Sequence, residues 1–166
     1  MSQFQIPPFL ENSFRIHKMR TVDIDNLFVG LLLLNGTGIK YVKIFDTPHY
    51  IFAKHIISGE PMQANHGYRS YEHYASVNDG ACSEKDFIKL IQSIGEASYD
   101  HVASPVLVFR SWRRLLPMNR WDVADGFHRL AVIAALDHES LRVATLRPKH
   151  SVGKRIADRL KGKHGS

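Results

Sequence analysis

Asp125, Gly126, His128 and Arg129 fall within one five-residue stretch, Asp125-Gly-Phe-His-Arg129, which combines a carboxylate, a turn residue, an imidazole and a permanent cation. Trp121-Asp-Val-Ala precedes it and Leu130-Ala-Val-Ile-Ala-Ala-Leu follows. The first segment reads as a strand and the second as a largely buried helix, so His128 and Arg129 occupy the first helical turn. A cation is badly placed there, beside unpaired N–H groups and the positive end of the helix dipole, at a cost of roughly a few tenths of a kcal/mol. An anion reverses the sign. Backbone N–H groups, including that of Phe127, then converge with Arg129 and a protonatable His128 on phosphate oxygens, and each charge-assisted bond contributes about 1.5–3 kcal/mol. Gly126 lets a ligand approach the backbone closely. The same residues also suit a purely structural role, with Asp125 capping the helix, Gly126 serving the turn, and Arg129 paired with Asp125 or Asp122.

Asp46-Thr-Pro-His-Tyr50 stands where a predicted strand meets a predicted helix. Ends of strands gather active-site groups in α/β folds, which makes Asp46 and His49 candidate general bases toward a substrate hydroxyl. Equally, Asp46 or Thr47 caps a helix that has Pro48 at its first position. Arg110, Arg113, Arg114 and Arg120 lie near Trp112 and Trp121. They suit a phosphate clamp or a solvated connector, and Arg110, directly after a strand, is the candidate anion ligand. Tyr68, Tyr71 and Tyr74 either line a pocket or pack on the body. None of the ten histidines forms a His-x-x-x-His pair, so a dedicated zinc site is not expected. Magnesium needs only one or two carboxylates when it comes with a nucleotide, and Asp125 is the favoured ligand, with Asp46 the other candidate.

The elements that must position these groups follow from hydrophobic periodicity. Residues 1–14 read as an N-terminal arm. An apolar stretch after Asp25, ending at Asn35-Gly36, predicts a two-turn helix, followed by a strand over 39–45. Pro48 and Gly59 bracket a helix, and a short helix lies around 68–74. Ser83 and Asp86 have capping-box spacing ahead of Phe87, Leu90, Ile91 and Ile94, which predicts an amphipathic helix over 84–95. Strands are expected at 105–109, 121–124 and 141–146, and a basic helix after Ser151.

The chain has 166 residues, 44% hydrophobic and 23% charged, the range of one soluble α/β domain with a mixed sheet. No apolar run approaches the roughly 20 residues of a membrane span. The N-terminus lacks the pattern of a secretory signal and there is a single cysteine, Cys82, so a cytoplasmic protein without disulfides is expected. Net charge is +6, but residues 1–141 carry 14 Lys and Arg against 15 Asp and Glu, while 142–166 carry 8 against 1. The basic character is therefore assigned to the C-terminal end, residues 142–166 with their basic helix or tail over 150–166, suited to nucleic acid, an anionic surface or solvent.

The run Val123-Ala-Asp-Gly-Phe-His-Arg-Leu-Ala-Val-Ile-Ala-Ala-Leu and the strand after it resemble the core of the ParB N-terminal/sulfiredoxin-like superfamily over residues 104–147. The resemblance implies a single ParB/sulfiredoxin-like domain over 1–166, with Gly126, His128 and Arg129 binding nucleotide phosphates and Asp125 matching the acidic residue of its kinase-like members. Phe127 stands where sulfiredoxin has its reactive cysteine, which argues against sulfinic acid reduction. Little sequence follows the matching strand, which argues against a partition protein with its helix-turn-helix domain. Together with Asp46–Tyr50, the pattern looks most like short stand-alone ParB-like proteins found among bacterial surface-polysaccharide genes. The expectation is an ATP- and magnesium-dependent phosphotransferase acting on a hydroxyl of a small metabolite or sugar. Its alternatives are a non-catalytic nucleotide-dependent binding module and a ParB-like nuclease, both engaging nucleic acid through the basic tail.

Overall fold

Alternating apolar residues build the sheet that carries the rest of the chain. In the computed structural model, which describes residues 6–33, 38–64, 66–78, 82–97, 99–110 and 119–149, six strands form one mixed sheet. They are β1 (Phe14–Asp23), β2 (Leu27–Leu32), β3 (Ile39–Lys43), β4 (Val106–Arg110), β5 (Trp121–Asp125) and β6 (Ser140–Pro148), ordered β1-β6-β4-β5-β2-β3. Pairs β4/β6 and β2/β5 are parallel, and the other three are antiparallel. The architecture is thus mixed α/β.

The helices are α1 (Pro8–Glu11), α2 (Pro48–Ser58), α3 (Tyr71–Val77), α4 (Glu84–Ala97) and α5 (Phe127–Ala135). Thr47 caps α2 through its hydroxyl, which accepts from the Tyr50 N–H at 3.2 Å, and Gly59 ends the helix with φ +72°. Ser83 caps α4 and donates to Asp86, while Phe87, Ile91 and Ile94 are buried. Full burial of each such side chain contributes about 1.5–3 kcal/mol. The main core joins α2, α3, α4 and α5 to Val22, Val29, Val106, Val108, Val123 and Val143 of the sheet. α5 is buried without a break from Leu130 to Ala135. A smaller cluster of Leu107, Ala144 and Leu146 takes Ile6, Leu10 and Phe14 against it. No helix among the described residues is long and apolar enough to cross a membrane.

Three expectations require correction. The helix expected after Asp25 is strand β2: Leu27, Val29 and Leu31 are buried while Phe28 and Gly30 are half-buried, a period of two. β2 pairs antiparallel with β3, and the Leu33 N–H donates to the Gly38 carbonyl at 2.9 Å just beyond that ladder. Of the arm expected over 1–14, residues 6–14 lead into the edge strand β1, which sequence periodicity does not reveal because most of its side chains are exposed, Arg15, His17, Lys18 and Arg20 among them, and only Val22 is buried. The strand over 39–45 ends at Lys43 and passes into a short 3-10 turn, Ile44–Asp46. The expected helix after Ser151 and the tail 150–166 lie outside the described residues.

Candidate functional site

Strand β5 delivers Asp125 to the sheet's end, and the backbone turns at Gly126 with φ +91°. That left-handed conformation favours glycine, and there is no room for more: a Cβ would stand 3.0 Å from Arg129 Nη2 and 3.2 Å from Val106 Cα. α5 starts immediately. No side chain caps it and no acid lies in its first turn, so the amides of Phe127, His128 and Arg129 have no hydrogen-bond partner among the described residues. Beside them opens a hollow of about 700 Å³, lined by Asp125 to Arg129 together with His49, Tyr74, Cys82 and Ser104.

Arg129 folds back over Gly126. Its Nη2 donates to Asp125 Oδ2 at 3.0 Å, and Nη1 donates to the Ser104 hydroxyl and carbonyl. The guanidinium is 18% exposed and the carboxylate 34%, so the pair is partly desolvated yet within reach of the hollow. Of the structural pairings open to Arg129, the one with Asp125 forms; Asp122 is instead buried and pairs with Arg120 at 3.0 Å. Asp125 does not cap α5.

His128, protonatable in principle, is held neutral by its surroundings. Desolvation pushes its pKa down to about 4, with Arg129 pushing the same way and Asp125 opposing, so the ring is neutral near pH 7. Tyr71 Oη lies 2.6 Å from the Cys82 carbonyl and 2.6 Å from His128 Nε2. The carbonyl can only accept, so the tyrosine proton goes to it and His128 Nε2–H donates to Tyr71. Nδ1 is left as the acceptor nitrogen available to a ligand.

His49, the second residue of α2, is fully buried, and neither ring nitrogen has a hydrogen-bond partner among the described residues. Its ring meets Tyr74 at 4.5 Å, His128 at 4.7 Å and Tyr71 at 5.4 Å, all edge-on. Burial and the neighbouring His128 hold its pKa well below the ordinary histidine range. A buried polar atom left without a partner costs about 1–3 kcal/mol, so the two ring nitrogens are unsatisfied hydrogen-bonding groups in the wall of the hollow.

The hollow therefore collects His49, Asp125, Gly126, Phe127, His128 and Arg129, but not the other two candidates. Asp46 is exposed at the end of the 3-10 turn before α2 and does not line the hollow, because the turn directs the chain inward only from Thr47 on. Arg110 lines a separate cleft at the opposite end of β4, since that strand runs away from Gly126. Sequence spacing does not single out Cys82 and Ser104, and no local signal points to them. Of the tyrosine cluster, Tyr74 lines the hollow and Tyr71 is packed beneath it.

Among the described residues no cluster of three or more His, Cys, Asp or Glu could hold a metal ion. A single carboxylate, Asp125, is the donor that a phosphate-borne cation would meet. Compared with family models, curated proteins and solved structures, the chain matches none.

Proposed function

We propose that the hollow binds the phosphates of a nucleotide and that the protein is an ATP-dependent phosphotransferase acting on a small hydroxyl compound. The observation that carries the reading is the uncapped start of α5, whose free amides face a hollow beside a left-handed glycine. Amides in this arrangement favour an anion without any compensating charge. The resemblance of residues 123–136 to nucleotide-binding ParB-like domains points the same way.

Phosphoryl transfer depends mainly on position and charge neutralisation. The amides of Phe127–Arg129 would seat the phosphates, and Arg129 would exchange its partner Asp125 for a phosphate oxygen. Asp125, once released, would be the magnesium ligand, and magnesium when bound would neutralise developing charge on the phosphates. Nδ1 of neutral His128 would accept a hydrogen bond from the acceptor hydroxyl and orient it. Of the two candidate bases His49 borders the hollow and Asp46 does not, so a His49 nitrogen would be the second polar contact once a small shift of the ring uncovers it. The acceptor is then small, because the walls contributed by His49, Tyr74 and Phe127 are aromatic and leave few polar partners.

A thermal-shift panel of ATP, ADP, CTP and GTP, with and without magnesium, tests binding. A nucleotide at 100 times its Kd stabilises the wild type by about 2.7 kcal/mol, and Arg129→Ala loses most of that gain. No shift with any nucleotide removes the reading. Nucleotide shifts without acceptor-stimulated ATP turnover would leave a binding module. Metal-dependent nicking of plasmid DNA that disappears in His128→Ala would instead identify a nuclease.

A further inference from the structure

At the far end of the sheet from Gly126, side chains from four strands surround a cleft of about 280 Å³. His17, Lys18 and Arg20 come from β1, Arg110 from β4, Trp121 from β5, and Thr145, Leu146 and Arg147 from β6. No carboxylate lines it, and among the described residues none of these four Lys and Arg side chains has an acidic partner within 4.0 Å. Register explains the convergence. Lys18 lies opposite Thr145, whose hydroxyl donates to the Lys18 carbonyl at 2.8 Å, and Arg110 lies opposite Trp121. A register shift between Ile16 and Lys18 turns His17 into the same recess.

The cations are also held in place. Trp121 is 9% exposed, and the guanidinium carbons of Arg20 and Arg110 stand 5.4 Å and 5.6 Å from its ring centroid. Such contacts orient guanidinium groups while leaving their N–H forks outward. The indole is covered by them, so it is a platform for arginines and offers no face to a base. The field is strong enough to act on His17, whose pKa is lowered by desolvation and by Arg147, Lys18, Arg15 and Arg20.

We propose that this cleft grips the phosphodiester backbone of a single-stranded nucleic acid. Planar guanidinium forks match phosphate oxygens, and several uncompensated cations in a row match a ligand that carries one charge per residue. The cations line the walls of a recess. A flexible strand can enter it and meet all of them, whereas a lipid bilayer touches only the rim. With the indole masked and no side-chain amide in the lining, the cleft reads the backbone and not the sequence.

The test is fluorescence anisotropy of the full chain with a labelled deoxythymidine oligomer over a salt series, beside sedimentation with phosphatidylserine vesicles. Lys18→Glu/Arg147→Glu changes two exposed side chains that belong neither to the α5 hollow nor to the Trp121 stack. Lys85→Glu/Lys89→Glu on α4 makes the same charge change elsewhere. The cleft pair weakens oligomer binding by roughly tenfold or more at fixed salt. The log–log salt slope falls by about 0.7 for each phosphate that the cleft no longer neutralises, and the α4 pair leaves both nearly unchanged. Because a misfolded variant would imitate that loss, Lys18→Arg/Arg147→Lys must keep wild-type affinity. Oligomer binding equally reduced by both pairs, insensitive to the cleft pair, or absent while vesicles bind overturns the proposal.

Discussion

The hollow at α5 and the cleft at Trp121 both present donors to an anion, but they handle charge in opposite ways. In the hollow the one permanent cation, Arg129, is mostly buried and already neutralised by Asp125, and both histidines are held neutral by desolvation. In the cleft Lys18, Arg20, Arg110 and Arg147 are exposed and face no carboxylate. Water accounts for the difference. A charge withdrawn from solvent must be paired or given up, whereas a solvated cation can stand beside other cations at small cost. The hollow therefore suits a ligand chosen by geometry, with weak salt dependence. The cleft suits a ligand chosen by charge, with strong salt dependence.

The largest effect expected from breaking this contrast comes from Trp121→Ala. The ring is almost completely buried, so its loss destabilises the fold by about 3–5 kcal/mol, read as a shift of the urea midpoint. Trp121→Phe keeps most of that stability but frees Arg20 and Arg110, and it weakens oligomer binding without altering nucleotide shifts. Equal damage to both ligands would show that the two sites are one.

Acid comes next. The unfolded reference for histidine is 6.5 and folded His128 titrates at about 4, so in that interval the unfolded chain binds more protons. Stability is therefore complete above pH 6.5 and drains away as pH falls toward 4, by up to about 1.4 kcal/mol per unit for each proton concerned. His49, displaced in the same direction, adds to the loss. Urea midpoints measured across this range should flatten in His128→Asn, and a wild-type profile already flat would contradict the neutral imidazoles.

Asp125→Ala has a smaller effect on stability, about 1–2 kcal/mol, because the pair it breaks is only partly buried. It should also raise affinity for inorganic phosphate measured without magnesium, since Arg129 no longer has a competing carboxylate. Weaker phosphate binding, by calorimetry, would mean that Asp125 does not compete with the ligand. Of similar size is Gly126→Ala, about 1–2 kcal/mol from the left-handed backbone alone, with the Arg129 guanidinium and the Val106 backbone both having to give by a few tenths of an ångström. Nucleotide shifts should drop in this variant while oligomer binding stays as in the wild type.

Much of the hollow is legible in the sequence because its central segment is local. Residues 121–136 show a short strand, a turn glycine and an unbroken apolar helix in one stretch, and neighbouring residues fix each other's direction. The charge state of His128 is not legible there. It depends on Tyr71, His49 and Phe87, which come from three other helices. The helix expected between Asp25 and Asn35 fails for a related reason: Leu27–Leu32 is short and apolar enough for either state, and pairing with β3 and β5 decides between them.

Charge shows most clearly where sequence stops. Counted along the chain, residues 1–141 are nearly neutral and the basic tail stands out. Folding sorts those charges by position, and the antiparallel register of β1 on β6, with β6 parallel to β4, brings residues 18, 20, 110 and 147 to one end of the sheet. The sequence by itself determined the elements with strong local periods and the turn at Gly126. Only the tertiary structure decided which cations are neutralised and which stand together, because that depends on strand pairings between residues more than a hundred positions apart.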